Sequence, residues 1–151
     1  MIKAKDYLKQ VEKLDKMIKN KMLEVEQWKA IATGTIASND GERVQSSGNQ
    51  QKMSDAVCRY VEIEKEVNAA IDRLIDAKKE VIETIEQLPV IEYDVLHKIY
   101  IGKDVDGDTE YMTLYEVADH YKKTYSWATS VHGRALKMVQ NILERRNGSD
   151  T

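Results

Sequence analysis

The chain has 151 residues, 42% of them hydrophobic and 32% charged, and carries 23 basic against 26 acidic side chains for a net charge of -3. That length suits one domain or two small ones and excludes a large multi-domain enzyme, while the apolar content is too high for a disordered chain. No apolar run exceeds three residues, against the roughly 20 needed to cross a bilayer, so no membrane partner is expected. Seven glycines, one proline, no phenylalanine and little β-branched alternation predict an all-α fold. The single Cys58 leaves no internal disulfide and no cysteine-rich zinc site, and its place in an apolar helical stripe predicts a core residue. The opening run Met1-Ile2-Lys3-Ala4-Lys5-Asp6 goes straight into mixed charge and apolar residues, so a cytoplasmic protein is expected.

From Ala4, steps of three and four run through Tyr7, Val11, Leu14, Ile18, Lys21, Val25, Trp28 and Ala32, with only Lys21 polar. This predicts an amphipathic helix of about 30 residues, roughly 45 Å long and too long for one compact partner to cover. Leu8 and Met22 widen its stripe beyond a two-stranded seam. Residues 33–50 hold Gly34, Gly41 and Gly48 among serine, asparagine and aspartate, which predicts a mobile loop. A second heptad through Met53, Tyr60, Val67, Leu74, Val81 and Leu88, flanked by Val57, Ile63, Ile71 and Ile85, predicts another long helix. It should end at Pro89, because proline disfavours helical geometry in the residue before it and suits the first turn of the helix that follows. Residues 1–88 are therefore expected to fold as a long antiparallel, coiled-coil-like helical hairpin. Its leftover apolar edges predict a homo-oligomer, such as a four-helix bundle; the plainer expectation is a spacer hairpin packed on its own C-terminal domain.

After Pro89, the spacing of Val90, Ile91, Val95, Leu96, Ile99 and Tyr100 predicts a short helix closing near Gly102, followed by a polar, acidic loop over 102–112. Thr113-Leu114-Tyr115-Glu116 fits a capping box and starts a helix at Leu114 whose buried face is Leu114, Val117, Ala118 and Tyr121. A turn through Lys122-Lys123 leads to Thr124, a good N-cap for a last helix with Trp127, Ala128, Val131, Ala135, Leu136 and Val139 inward. Residues 89–146 thus predict a small helix-turn-helix domain, with 147–151 a flexible tail. Net charge does not invite nucleic acid, but residues 120–146 hold six basic side chains (Lys122, Lys123, Arg134, Lys137, Arg145, Arg146) against Glu144 alone, a local +5. The last helix is the candidate reader of duplex DNA, with Thr124, Tyr125, Ser126, Thr129, Ser130 and His132 along it, and Lys122, Lys123, Arg134 and Lys137 on the phosphate backbone. Trp127 and Tyr121 are expected in the core; Tyr125 is expected to face the groove.

Leu88-Pro89, Tyr93-Asp94-Val95-Leu96, Thr113-Leu114-Tyr115-Glu116-Val117-Ala118 and Val131-His132-Gly133-Arg134-Ala135-Leu136 together resemble region four of bacterial sigma factors. The segment is also similar to phage late-gene transcriptional regulators of the ArpU and RinA type. Over the whole chain, including the loop Arg43-Val44-Gln45-Ser46-Ser47-Gly48, it most resembles a phage and prophage family that pairs such a domain with an N-terminal helical hairpin. The resemblance implies a DNA-binding regulator of phage transcription in the bacterial cytoplasm, acting with RNA polymerase. Two departures stand out. Lys122 occupies the turn position where region four usually has glycine, which predicts a strained turn. Tyr125 and Ser126 stand where a charged residue usually follows the cap, which removes the arginine that most often reads guanine.

Asp104-Val105-Asp106-Gly107-Asp108 offers oxygen ligands at EF-hand positions one, three and five, but position six is Thr109 and position twelve Tyr115, so a solvated acidic loop is favoured. His97, His120 and His132 lack ligand spacing, no nucleophile has a recognisable partner, and Gly34, Gly41 and Gly48 match no nucleotide fingerprint. Neither an enzyme nor a cofactor is expected. The alternative function is a protein-interaction module that docks RNA polymerase or a phage assembly protein without reading DNA. A packaging protein resembling the small subunit of terminase shares the same elements and remains open.

Overall fold

A computed structural model describes residues 2–34 and 47–149. These are mostly helical, with five α-helices: α1 (Ala4–Thr33), α2 (Ser47–Ile85), α3 (Val90–Leu96), α4 (Leu114–Tyr121) and α5 (Tyr125–Ser149). A π-helical turn (His97–Ile101) continues α3, and two short strands, β1 (Lys103–Val105) and β2 (Asp108–Glu110), precede α4. No helix among the described residues is long and apolar enough to cross a membrane. Helix occupies both ends of the segment 33–50 expected as a loop. α1 runs to Thr33 and stops at Gly34, whose φ of 75° is the left-handed conformation that closes helices. α2 already begins at Ser47, and residues 35–46 lie outside those described. At the other end, α5 continues through Asn147 and Gly148, where a flexible tail was expected; Asp150 and Thr151 lie outside the described residues.

The chain divides into two compact units, one made of residues up to Lys13 together with those from Ile75 onward, the other of Leu14–Leu74. Leu88-Pro89 separates α2 from α3, with Pro89 as the N-cap of α3, but it is not the edge of a unit. In the Leu14–Leu74 unit, Ile18 and Val25 of α1 meet Ile63, Val67 and Ala70 of α2, with Trp28, Tyr60 and Leu74 packed around them. Ion pairs join Lys21 to Glu66 at 2.7 Å and Lys29 to Glu64 at 2.9 Å. Partners therefore rise along α1 as they fall along α2. These exposed pairs add little energy; the apolar seam holds the helices.

On α2 the expected Ile63, Val67, Val81 and Ile85 are buried, as is Leu88 just beyond it. Ala56, Ala70, Ala77 and Thr84, in the same seven-residue row as Ile63, are buried as well. That row leaves the expected Met53, Val57 and Ile71 exposed. It also corrects Cys58, which is exposed: two positions past Ala56, it lies about 200° round the helix from the seam. On α1, Leu8 is fully buried, while Met22 is 53% exposed.

In the other unit, a threonine joins three helices. Thr84 of α2 shares a 2.8 Å hydrogen bond with the Tyr7 hydroxyl of α1 and donates to the Glu80 carbonyl at 3.0 Å. The Arg146 guanidinium of α5 donates to Thr84 Oγ1 at 2.8 Å and to the Tyr7 hydroxyl at 3.4 Å. One donor and two acceptor sites on the hydroxyl account for all three Thr84 bonds. The acidic segment after Gly102, expected as a loop, is an antiparallel ribbon pairing Lys103 with Glu110, Asp104 with Thr109 and Val105 with Asp108. Asp106 and Gly107 turn it with φ of 53° and 88°. Positive φ at both central residues is the geometry that twists with a two-residue hairpin.

Candidate nucleic-acid interface

The candidate interface lies on α3, the π turn, α4 and α5, which pack around one core. Val95, Val117, Ala118, Ala128 and Val131 form its buried centre, and Ile99, Met112, Leu114, Tyr121 and Trp127 pack against them. Tyr121 and Trp127 are thus core aromatics, their rings 5.2 Å apart. The Tyr121 hydroxyl donates to Asp94, whose other oxygen accepts from Lys98 at 2.7 Å.

Local chemistry sets both helix starts. The Thr113 hydroxyl accepts from the Glu116 amide at 3.2 Å while Glu116 accepts from the Thr113 amide at 3.3 Å, a complete capping box. Lys122 ends α4 at φ 55° and ψ 45°, left-handed geometry on a residue with a Cβ. The Lys123 amide then donates to Ala118 at 2.9 Å and closes the last turn. Thr124 Oγ1 accepts from the Trp127 amide at 3.1 Å and caps α5.

Past that cap, Ser126, Ser130, Gly133 and Lys137 are exposed at steps of four, three and four, so they share one face of α5. Thr129 is half-buried at the edge of this face, its hydroxyl turned back onto the carbonyls of Ser126 at 2.9 Å and Tyr125 at 3.2 Å. A Cβ added at Gly133 would meet nothing within 4 Å, so nothing inside the chain calls for glycine there. Lys122 and Lys123 are exposed in the turn before α5. None of these three lysines is paired with a carboxylate among the described residues.

Two of the expected phosphate and base contacts sit elsewhere. His132 is half-buried, and its Nε2 shares a 2.7 Å hydrogen bond with the hydroxyl of the buried Tyr100 in the π turn. Burial, then the charge of Lys5, lowers the His132 pKa; burial, then Glu12, pushes Tyr100 up to about 12. Both groups are therefore neutral at pH 7. Arg134 lies on the opposite flank, where its Nε donates to Glu92 at 2.8 Å, and Glu92 is one of two buried polar side chains among the described residues. His132 and Arg134 hold α5 against the π turn and α3, leaving Lys122, Lys123, Thr124, Tyr125, Ser126, Thr129, Ser130 and Lys137 at or beside the open face.

Sequence reasoning missed two residues. Glu92 shares the helical face of Val95, Leu96 and Ile99, and an acid in an apolar stripe signals a buried partner. Tyr115, 67% exposed, stacks on Tyr125 with ring centroids 4.2 Å apart and planes 17° from parallel; no local pattern announced a pairing between positions ten residues apart. Among the described residues, no three His, Cys, Asp or Glu side chains group as a metal site. No protein-family model, curated protein or solved structure matches the chain.

Proposed function

We propose that the chain is a phage-type transcription regulator that binds duplex DNA, with α4 and α5 as the helix-turn-helix, α5 in the major groove, and α1 with α2 as an antiparallel hairpin that joins two copies. The observation that carries this reading is the open face of α5, where Ser126, Ser130 and the unpaired Lys137 are exposed, with exposed, unpaired Lys122 and Lys123 in the turn before it. No acid interrupts residues 120–143. Such a face offers cations to phosphates and short polar side chains to base edges. The likeness to region four of sigma factors points the same way and makes RNA polymerase the protein partner to test. Dimerisation is supported by Met17, Met22, Leu23 and Ile31 of α1, all more than a third exposed.

The test is fluorescence anisotropy with duplex fragments of the source genome across a salt series. Fragment-selective binding whose log affinity falls linearly with log salt supports the proposal. Weak, flat binding to every fragment refutes it and leaves α4 and α5 as a scaffold, with the function then sought in protein partners.

A further inference from the structure

Tyr115 and Tyr125 form the largest exposed aromatic feature of the interface, 67% and 43% exposed and stacked ring on ring. Two bulky rings left in water on neighbouring helix starts lie apart from the core aromatics Tyr121 and Trp127. Tyr115 is the second residue of α4 and Tyr125 the first of α5. The stack therefore stands at the end of α5 that leads into a groove, beside Lys122 and Lys123.

The rest of the face narrows what these rings can read. Bidentate recognition of adenine needs an asparagine or glutamine, and the commonest contact to guanine needs a free arginine or a lysine not taken up by phosphate. Arg134 is held by Glu92, the Thr129 hydroxyl is turned onto its own helix, the exposed Lys122, Lys123 and Lys137 are assigned to phosphates in the reading above, and residues 122–137 contain no asparagine or glutamine. What remains at the tip, beside the Ser126 hydroxyl, is an apolar ring surface. In the major groove of duplex DNA, one base presents a matching apolar group, the 5-methyl of thymine.

Resting on the DNA-binding reading above, we infer that the Tyr115–Tyr125 stack reads thymine methyl groups, Tyr125 touching the methyl and Tyr115 holding the Tyr125 ring in place. Tyr115 is a positioning residue: packed on one face of Tyr125, it fixes the ring before DNA arrives and lowers the ordering cost of binding. The flanking lysines supply the charge complementarity that brings an anionic duplex to this surface.

The experiment selects short duplexes with randomised centres on the full chain, then compares enriched duplexes made with thymidine or with deoxyuridine, which lacks only the methyl. The wild type should lose about fourfold in affinity per contacted methyl. Tyr125→Ala should bind thymidine and deoxyuridine duplexes alike, and Tyr115→Ala should lose most of the same discrimination while keeping its salt dependence. Removing an exposed ring for structural reasons alone would not erase sensitivity to a methyl on DNA. Enriched duplexes that bind the wild type equally with either base overturn the inference and leave DNA binding intact, as does discrimination that survives in Tyr125→Ala. A pool that yields no enrichment overturns both.

Discussion

Replacing Lys122 by glycine should move stability and DNA binding in opposite directions. Lys122 sits at φ 55° and ψ 45°, conformational space that costs an L-residue with a Cβ roughly 1–2 kcal/mol. Glycine takes it freely but gives back about 0.5–1 kcal/mol through its looser unfolded chain. The net gain is on the order of 0.5–1 kcal/mol, which for about 150 residues raises the melting temperature by about 1–4 °C. The lysine side chain is exposed, so no packing is lost. If Lys122 neutralises a phosphate, the same substitution lowers the slope of log affinity against log salt by about 0.9. Thermal unfolding followed by circular dichroism measures the first effect, and anisotropy across a salt series the second. A lower melting temperature would refute the strained-turn argument. An unchanged slope would remove Lys122 from the interface.

Gly102 has φ 77° and ψ -168°, and a Cβ there would lie 2.6 Å from the Glu110 carbonyl oxygen; Gly102→Ala should cost about 2–4 kcal/mol, read as a lower urea midpoint. Arg134→Ala should destabilise by about 1–3 kcal/mol, because the buried Glu92 carboxylate loses its cation, whereas Lys137→Ala should stay within about 0.5 kcal/mol of wild type; equal effects would contradict the assignment of Arg134 to the scaffold. His132 and His97 both have pKa values lowered from 6.5, chiefly by burial. Below pH 6.5 the unfolded chain takes up protons that the folded one resists, so stability is full above that pH and falls beneath it. Melting temperatures at pH 8 and pH 5 check this, and His132→Gln should reduce the difference.

Helices were legible wherever one local rule settled them. The capping box at Thr113, the Thr124 cap and the Leu88-Pro89 break each involve residues within a turn of one another, and each gave the expected local structure. The seam of α2 was harder because alanine says little about burial: Ala56, Ala70 and Ala77 lie at the centre of the buried face, yet Val57 and Ile71 look more convincing in sequence. Asp106-Gly107 carries a hairpin signal of its own, an Asp-Gly pair, and this outweighs the ligand-like spacing of the surrounding acids. The contacts of His132 and Arg134 could not be read from periodicity, which places a residue on a helix without naming what faces it. Tyr100 is 32 positions from His132, and Glu92 42 from Arg134.

Those two contacts also set how much charge remains for DNA. Of six basic side chains between 120 and 146, Arg134 is held by Glu92, and Arg146 reaches Thr84, Tyr7 and Glu80. Arg145 donates to the Asn141 carbonyl and sits about 30 Å along α5 from Tyr125 at 1.5 Å per residue. Lys122, Lys123 and Lys137 remain, which caps the salt slope of one copy near about -2.7. Two copies on adjacent half-sites would reach about -5.4. The measured slope therefore counts protomers. If exposed apolar residues of α1 join the copies, Met22→Glu with Leu23→Glu, both more than half exposed, should leave the fold intact and halve the slope. A halved mass in light scattering without a change in slope would mean that a single copy does the binding, which would refute the proposed dimer as the DNA-binding form.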